Sequence, residues 1–187
     1  NCKQSSEITT RREFEAMSQN GIIRPSSSQW ATPLVPVNQD GKKLRIVGDY
    51  RLLNSRTIKD RYPVPNIQNS TQQLYGKKCF SKIDLIRAYH NIPVFPDHIP
   101  KTAIISPVGL YEYVRMPFGL SNCGATYQRF MNRILGDLLF GFCYIDDILI
   151  FSDSLEQHYE HVELVLQRLQ KWGLSINVEK AEFTRTK

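Results

Sequence analysis

No stretch of this 187-residue chain is apolar for long enough to cross a bilayer, and no N-terminal segment reads as a signal peptide. A membrane partner is therefore not expected. Cysteine is scarce. Cys2, Cys79, Cys123 and Cys143 form no CxxC pair, and three of them sit among apolar residues. That pattern excludes the common zinc and dithiol spacings and favours reduced, buried thiols in a reducing compartment. There is no internal repeat and no low-complexity tract. Charge is not dominated by one sign: 24 Lys and Arg against 18 Asp and Glu leave +6, which suits a polyanionic partner without demanding one. The chain lacks an initiator Met and begins at Asn1, so it is expected to be a piece of something longer. With 41% hydrophobic and 22% charged residues, it reads as an ordinary globular protein with one substantial core or two small lobes.

The most informative segment is Tyr144-Ile145-Asp146-Asp147, set between Phe140-Gly141-Phe142-Cys143 and Ile148-Leu149-Ile150-Phe151. Two adjacent carboxylates inside an apolar hairpin are costly unless a cation compensates them. The Gly or Asn that a plain turn would favour is absent from this tip. A third carboxylate, Asp84, ends a similar apolar strand, Cys79-Phe80-Ser81-Lys82-Ile83. Three acids on the ends of neighbouring strands suit two divalent metals that drive phosphoryl transfer.

The remaining pattern orders the elements. Thr10-Arg11-Arg12-Glu13 is a capping box, and Gly21 is a stop, so a helix is predicted over 10–20. Pro25 to Ser28 is a loop. Strands Leu34–Val37 and Leu44–Val47 are joined through Asp40-Gly41. A helix is predicted over Asn66–Tyr75, ended by Gly76, and a strand over Phe80–Asp84. A second hairpin joins Ala103–Ser106 to Tyr111–Arg115 around Pro107-Val108-Gly109. Apolar residues at helical spacing predict a helix over Ser121–Leu139, with Ser121 as cap and Pro117 and Gly119 bending the chain before it. The acid hairpin follows, then a helix over Leu155–Trp172 stopped by Gly173, and a final strand over Leu174–Val178. His158 and His161 are three apart on that helix. With no Cys or further His nearby, they are expected on a solvated face. The order points to an α+β layer, with helices packed on an antiparallel sheet.

These residues, taken in order, carry a resemblance. Ile23-Arg24-Pro25-Ser26-Ser27-Ser28, Asp49-Tyr50-Arg51-Leu52-Leu53-Asn54 and Phe80-Ser81-Lys82-Ile83-Asp84-Leu85 come first. Met116-Pro117-Phe118-Gly119-Leu120, Tyr144-Ile145-Asp146-Asp147 and Gly173-Leu174-Ser175-Ile176-Asn177 follow. The chain resembles the reverse transcriptase domain of gypsy-type LTR retrotransposon Pol polyproteins and, more distantly, the retroviral enzymes. The resemblance implies a right-hand polymerase fold with an antiparallel palm sheet backed by helices. Residues 1–78 would be mainly fingers and 79–187 mainly palm, with a fingers segment re-entering around 100–118. The thumb, RNase H and integrase regions would lie elsewhere in the polyprotein.

The resemblance implies an RNA-directed DNA polymerase that uses two Mg²⁺ ions, with Mn²⁺ as a substitute, on an RNA or DNA template with primer and dNTPs. Asp84, Asp146 and Asp147 would be catalytic metal ligands, with the Leu85 carbonyl as a further ligand. Tyr89 would lie under the incoming sugar and exclude a 2′-hydroxyl. Arg45 would neutralise triphosphate charge, and Gln128 would contact the sugar. Met116, Pro117, Phe118 and Gly119 would lie near nucleotide and template. Asp49 is given a structural role with Arg51 as readily as a functional one. The setting implied is a cytoplasmic virus-like particle, with a nuclear stage as an option. Two departures from the family pattern stand out: Lys42 and Lys43 leave the triphosphate lysine unplaced, and Gly48 replaces the usual β-branched residue, which would loosen its strand. The competing reading is a catalytically silent nucleic-acid-binding remnant of a mobile element.

Overall fold

The first helix, α1 (Cys2–Gln19), ends where glycine allows it to. Gly21 takes φ +64° and donates to the Ser18 carbonyl, while the Ile22 amide reaches the Met17 carbonyl at 2.9 Å, a paired closure that satisfies the last turn. The helix starts earlier than the capping box predicts, because the backbone before Thr10 is already helical. The structure is a computed structural model that describes residues 2–39, 43–63, 72–144 and 146–186, and the side chains of 11–35, 47–63, 72–144 and 146–185. The described residues form two compact units, 1–59 with 89–123, and 60–88 with 124–187.

In the first unit, β1 (Ile23–Pro25), β2 (Thr32–Gln39), β3 (Lys43–Gly48), β5 (Ile104–Ser106) and β6 (Gly109–Tyr113) form a sheet in the order β1-β6-β5-β2-β3. The predicted hairpins are both present. β2 and β3 pair antiparallel out to Gln39 opposite Lys43, with the Asp40-Gly41 tip outside the described residues. β5 and β6 pair with Ser106 opposite Gly109. The core gathers Phe14, Ile22, Ile23, Tyr50, Ile104 and Tyr113. The short helix α2 (Arg51–Ser55) follows Tyr50, whose buried hydroxyl donates to the Thr102 carbonyl at 2.8 Å. Gly48 does not loosen its strand. It lets the strand approach the ring: a Cβ there would stand 2.9 Å from Tyr50 Cε2 and Cζ and 3.0 Å from Ile104 Cγ2. The small residue is thus demanded by packing.

In the second unit, β4 (Cys79–Asp84), β7 (Gly141–Tyr144), β8 (Asp147–Ser152) and β9 (Glu182–Thr186) form an antiparallel sheet in the order β7-β8-β4-β9. Helices α3 (Cys123–Leu135) and α4 (Leu155–Lys171) belong to the same unit apart from Cys123. Their buried stripes, Tyr127, Met131, Ile134 and Leu135 on α3 and Val165 and Leu169 on α4, join Ile83, Ile148, Ile150 and Phe151 in the core. Ser154 caps α4 by accepting from the Gln157 amide, and Gly173 at φ +68° closes it. Arg168 ties α4 to the end of α3 through the Ile134 carbonyl (2.9 Å) and the Asp137 carboxylate.

Three expectations are corrected. Helix α3 begins two residues after Ser121, whose amide instead donates to Asn54 Oδ1. It stops before Gly136, where a Cβ would run into the Asn132 carbonyl oxygen. The 174–178 segment makes one bridge, Ile176 with Leu85, and the ladder strand is β9, where the alternation Glu182-Phe183-Thr184 meets the free edge of β4. The helix predicted over 66–75 falls mostly outside the described residues; of its described end, Gln72 is helical and 73–76 form a turn closed at Gly76. Among the described residues, no helix is long and apolar enough to cross a membrane.

Candidate active site

The β7–β8 hairpin closes with Tyr144 opposite Asp147, so Ile145 and Asp146 make the connection, Ile145 lying outside the described residues. The neighbouring ladder sets Asp84, the last residue of β4, opposite Asp147, the first of β8. Strand alternation explains the placement. On β4, Cys79, Ser81 and Ile83 face inward while Lys82 and Asp84 face the more open side. The backbone then locks the corner: the Leu85 amide donates to the Asp146 carbonyl at 3.3 Å, the Asn177 amide to the Asp84 carbonyl at 2.8 Å, and the Ile86 amide to the Ser175 carbonyl at 2.8 Å. Asp84, Leu85, Asp146 and Asp147 are thereby brought to one corner of the sheet.

This corner opens into a cavity of about 600 Å³ whose lining includes the three aspartates together with Lys82, Lys180 and Glu179. Two lysines share the carboxylate charge: Lys82 Nζ is 3.1 Å from Asp147 Oδ2, and Lys180 Nζ is 3.7 Å from Asp84 Oδ2. Among the described residues, no three His, Cys, Asp or Glu groups are gathered tightly enough to form a ready metal cluster. The donor chemistry nevertheless fits Mg²⁺, which takes few hard carboxylate oxygens and keeps much of its water. Long, half-exposed lysine side chains can swing away from such a site. Behind the hairpin, burial, with the Asp146 charge adding to it, pushes the Cys143 thiol up to about 12.

The other predicted residues lie on other elements. Tyr89 sits in a 3-10 turn (Ala88–Asn91), its ring edge-on to Phe118 with centroids 5.0 Å apart. His90 bonds the Met116 carbonyl through Nδ1 at 3.1 Å. In the 116–119 loop, Met116 and Pro117 are buried, Phe118 is half-buried and Gly119, at φ +92°, is exposed. Asn54 pins the C-terminal end of this loop, donating to the Gly119 carbonyl at 2.7 Å and accepting from the Ser121 amide at 2.8 Å. Gln128 is only 2% exposed and faces the acid hairpin's backbone: its amide donates to the Cys143 carbonyl (3.2 Å) and to Asn132 Oδ1 (3.0 Å). The Arg45 backbone pairs with Val37, while its side chain, that of Lys43, and all of Lys42 lie outside what is described. Arg51 grips Asp49 in a fork (2.8 and 2.6 Å), which holds the Asp49 carboxyl below its ordinary value.

Sequence reasoning missed three features. Lys82, Lys180 and Glu179 line the acid cavity; the alternation of β4 placed Lys82 beside Asp84, and only the fold brings the 179–180 turn back to it. The anchoring role of Asn54 has no local signal. His158, expected on a solvated face, is fully buried. It extends the stripe of Val165 and Leu169 back by seven residues, and that spacing was the available signal.

Residues 37–187 match the family model described as Reverse transcriptase (RNA-dependent DNA polymerase). The chain is 41% identical over 189 residues to the Retrovirus-related Pol polyprotein from transposon 297 of Drosophila melanogaster, an alignment covering 97% of this chain and 18% of that protein. It is 41% identical over 166 residues to the Transposon Tf2-3 polyprotein of Schizosaccharomyces pombe, covering 88% of this chain and 12% of that one. The chain thus spans under a fifth of the curated relatives it matches. Among solved structures, the fold is similar to the foamy viral protease-reverse transcriptase in complex with RNA/DNA hybrid, with TM-score 0.88, 21% identity, and 96% of this chain and 24% of that chain covered. It is also similar to the same viral protein's form in complex with double-stranded DNA, with TM-score 0.85, 24% identity, and 91% and 30% covered.

Proposed function

The chain belongs to the reverse transcriptase (RNA-dependent DNA polymerase) family, and from that premise we propose that it supplies the catalytic part of an RNA-directed DNA polymerase. The observation that carries this reading is the register that sets Asp84 opposite Asp147 with Asp146 in the adjoining turn. The reaction is attack of a primer 3′-hydroxyl on the α-phosphate of a deoxynucleotide, with release of pyrophosphate. Asp84, Asp146 and Asp147, with the Leu85 carbonyl, would hold Mg²⁺. Bound there, Mg²⁺ supplies positive charge for the attacking and leaving oxygens. Lys82 and Lys180 balance the carboxylates until they are engaged, and Lys180 then stands free to meet phosphate charge.

Tyr89 acts as the sugar gate: an aromatic ring against C2′ leaves no room for a ribose hydroxyl. Its edge contact with Phe118 fixes the ring. Arg45 meets the triphosphate, Phe118 and Gly119 meet nucleotide and template, and Met116 and Pro117 anchor that loop from the interior. Gln128 acts on the nucleotide through the hairpin backbone that it holds at Cys143. The first unit corresponds to fingers and the second to palm. Template, primer and dNTPs are the partners, in line with the nucleic acids bound by the foamy viral relatives. RNase H and integrase regions would belong to the same polyprotein, acting in a cytoplasmic particle.

The test is primer extension on an RNA template with dNTPs and Mg²⁺, comparing wild type with Asp146→Asn, on this chain and on the longer polypeptide. Mg²⁺-dependent extension by wild type alone supports the reading. Absence of extension from both lengths, with the fold intact, would favour the silent nucleic-acid-binding remnant.

A further inference from the structure

Helix α4 carries a buried histidine that the proposed chemistry does not use. His158 is fully buried, yet both ring nitrogens meet hydroxyls: Nε2 lies 2.7 Å from Ser81 Oγ on β4, and Nδ1 lies 2.8 Å from Ser152 Oγ on β8. Ser81 Oγ also accepts from the Thr184 amide of β9 at 2.9 Å. Ser152 Oγ lies 2.8 Å from His161 Nδ1, and the His161 ring is stacked on Phe140 with centroids 3.5 Å apart. One imidazole therefore reaches both central strands of the sheet, with β9 one bond further on.

The protons can be placed. A neutral imidazole offers one donor and one acceptor, and a hydroxyl offers one donor and two lone pairs. Ser81 uses a lone pair on the Thr184 amide, and His158 Nε2 is positioned to accept its proton. His158 Nδ1–H then donates to Ser152 Oγ, and the Ser152 proton goes to His161 Nδ1. A single neutral tautomer of His158 satisfies both serines, and His161 also meets the Phe151 backbone. A proton on Nε2 would instead point at the Ser81 hydroxyl and turn its hydrogen away from its acceptor inside the core, where an unpaired donor is unfavourable. The charged groups that face this pair are Glu160 on α4, Asp153 after β8 and Lys77 before β4, all acting on His161, which itself faces His158. Burial holds both imidazoles below their ordinary value.

The geometry points to neutral His158 as a positioning residue for the aspartate corner, acting through Ser81 and Ser152 to hold β4 and β8 in the register that sets Asp84 opposite Asp147. Ser152 stands opposite Cys79 and Ser81 opposite Ile150, so the serines are diagonal neighbours on one face. A one-residue slip would turn one serine to the other face and break the bridge. The kinetic consequence rests on the polymerase reading; the structural and metal-binding consequences do not.

The test uses the whole chain in three measurements. Imidazole ¹⁵N spectra of the wild type should show His158 as the Nδ1–H tautomer, unchanged from pH 8 to pH 5.5; an Nε2–H tautomer or an ordinary titration overturns the assignment. Mn²⁺ binding, followed by water-proton relaxation, should weaken in His158→Leu by up to about tenfold, the lower limit for groups bonded directly to metal ligands, because His158 acts through the strands. His158→Gln, which can still accept from Ser81 and donate to Ser152, should recover most of that loss. Ser81→Ala removes one bond and should shift binding in the same direction, which keeps the test decisive if His158→Leu does not fold. Unchanged Mn²⁺ affinity in the folded variants overturns the inference, since a residue that only stabilises the fold would lower the melting temperature without moving that affinity. In primer extension the Mg²⁺ midpoint should rise by the same factor. Wild type that binds Mn²⁺ without extending a primer counts against the polymerase reading and leaves the positioning role to be decided by the binding data.

Discussion

Asp84 and Asp147 are cross-strand partners, and each carboxylate has a lysine of its own: Lys180 for Asp84, Lys82 for Asp147. Like charges placed directly opposite each other in a sheet are destabilising, and the two ammonium groups offset that repulsion. The repulsion that remains would be relieved further by a divalent cation held at the proposed site.

The first prediction concerns the third acid. Asp146→Asn keeps size and hydrogen-bonding shape but removes one charge from the corner. Mg²⁺-dependent primer extension should fall at least about a hundredfold, because a metal ion contributes several kcal/mol of charge stabilisation. Circular dichroism and the thermal midpoint should stay close to wild type. Extension at wild-type rate would remove Asp146 from the metal site.

Tyr89 gives a second prediction. Removing the ring in Tyr89→Ala opens the space assigned to the 2′-hydroxyl and leaves Phe118 without its edge-on neighbour. Ribonucleotide incorporation relative to deoxynucleotide should rise, read from competing extension with each nucleotide. An unchanged ratio would reject the gate.

Gly48 tests the packing of the first unit. A Val side chain there would run into the buried Tyr50 ring, held through its hydroxyl by the Thr102 carbonyl. Overpacking of this kind costs about 1–3 kcal/mol, so Gly48→Val should lower the thermal midpoint by several degrees, measured by calorimetry. Had the glycine merely weakened a strand, the β-branched residue would raise it.

The two buried thiols near the loop and the hairpin give a pH prediction. Burial pushes Cys123 up to about 11 and Cys143 up to about 12, from an ordinary 9.0. The folded state thus disfavours the thiolates. Their contribution to stability is fully present below pH 9 and is lost as the pH rises toward 11–12. At pH 8, iodoacetamide should label both cysteines slowly in the native chain and rapidly in denaturant, as mass spectrometry would show. Fast native labelling of Cys143 would mean that the hairpin opens.

Much of the fold could be read locally. The hairpins at 32–48 and 104–113, the acid hairpin, α3 and α4 all follow from alternation, helical spacing and glycine stops, because those signals lie within a few residues of the structure they produce. The errors came where a distant partner decides the outcome. Residues 174–178 have strand composition, yet they only cross the end of β4, and the edge of that strand is taken by β9. Gly48 looks like a weakness until the Tyr50 ring is seen to fill the space its side chain would need.

The sequence by itself determined that three carboxylates stand at the ends of apolar runs, and that helical and alternating segments build a helix-backed sheet. Those are properties of composition and short-range periodicity. Tertiary structure alone decided that Asp84 faces Asp147, that Lys82 and Lys180 share their charge, that Asn54 holds the end of the loop after Met116, and that His158 is buried between two serines. Register and burial are set by residues far apart in the chain, and no local spacing encodes which of them will meet.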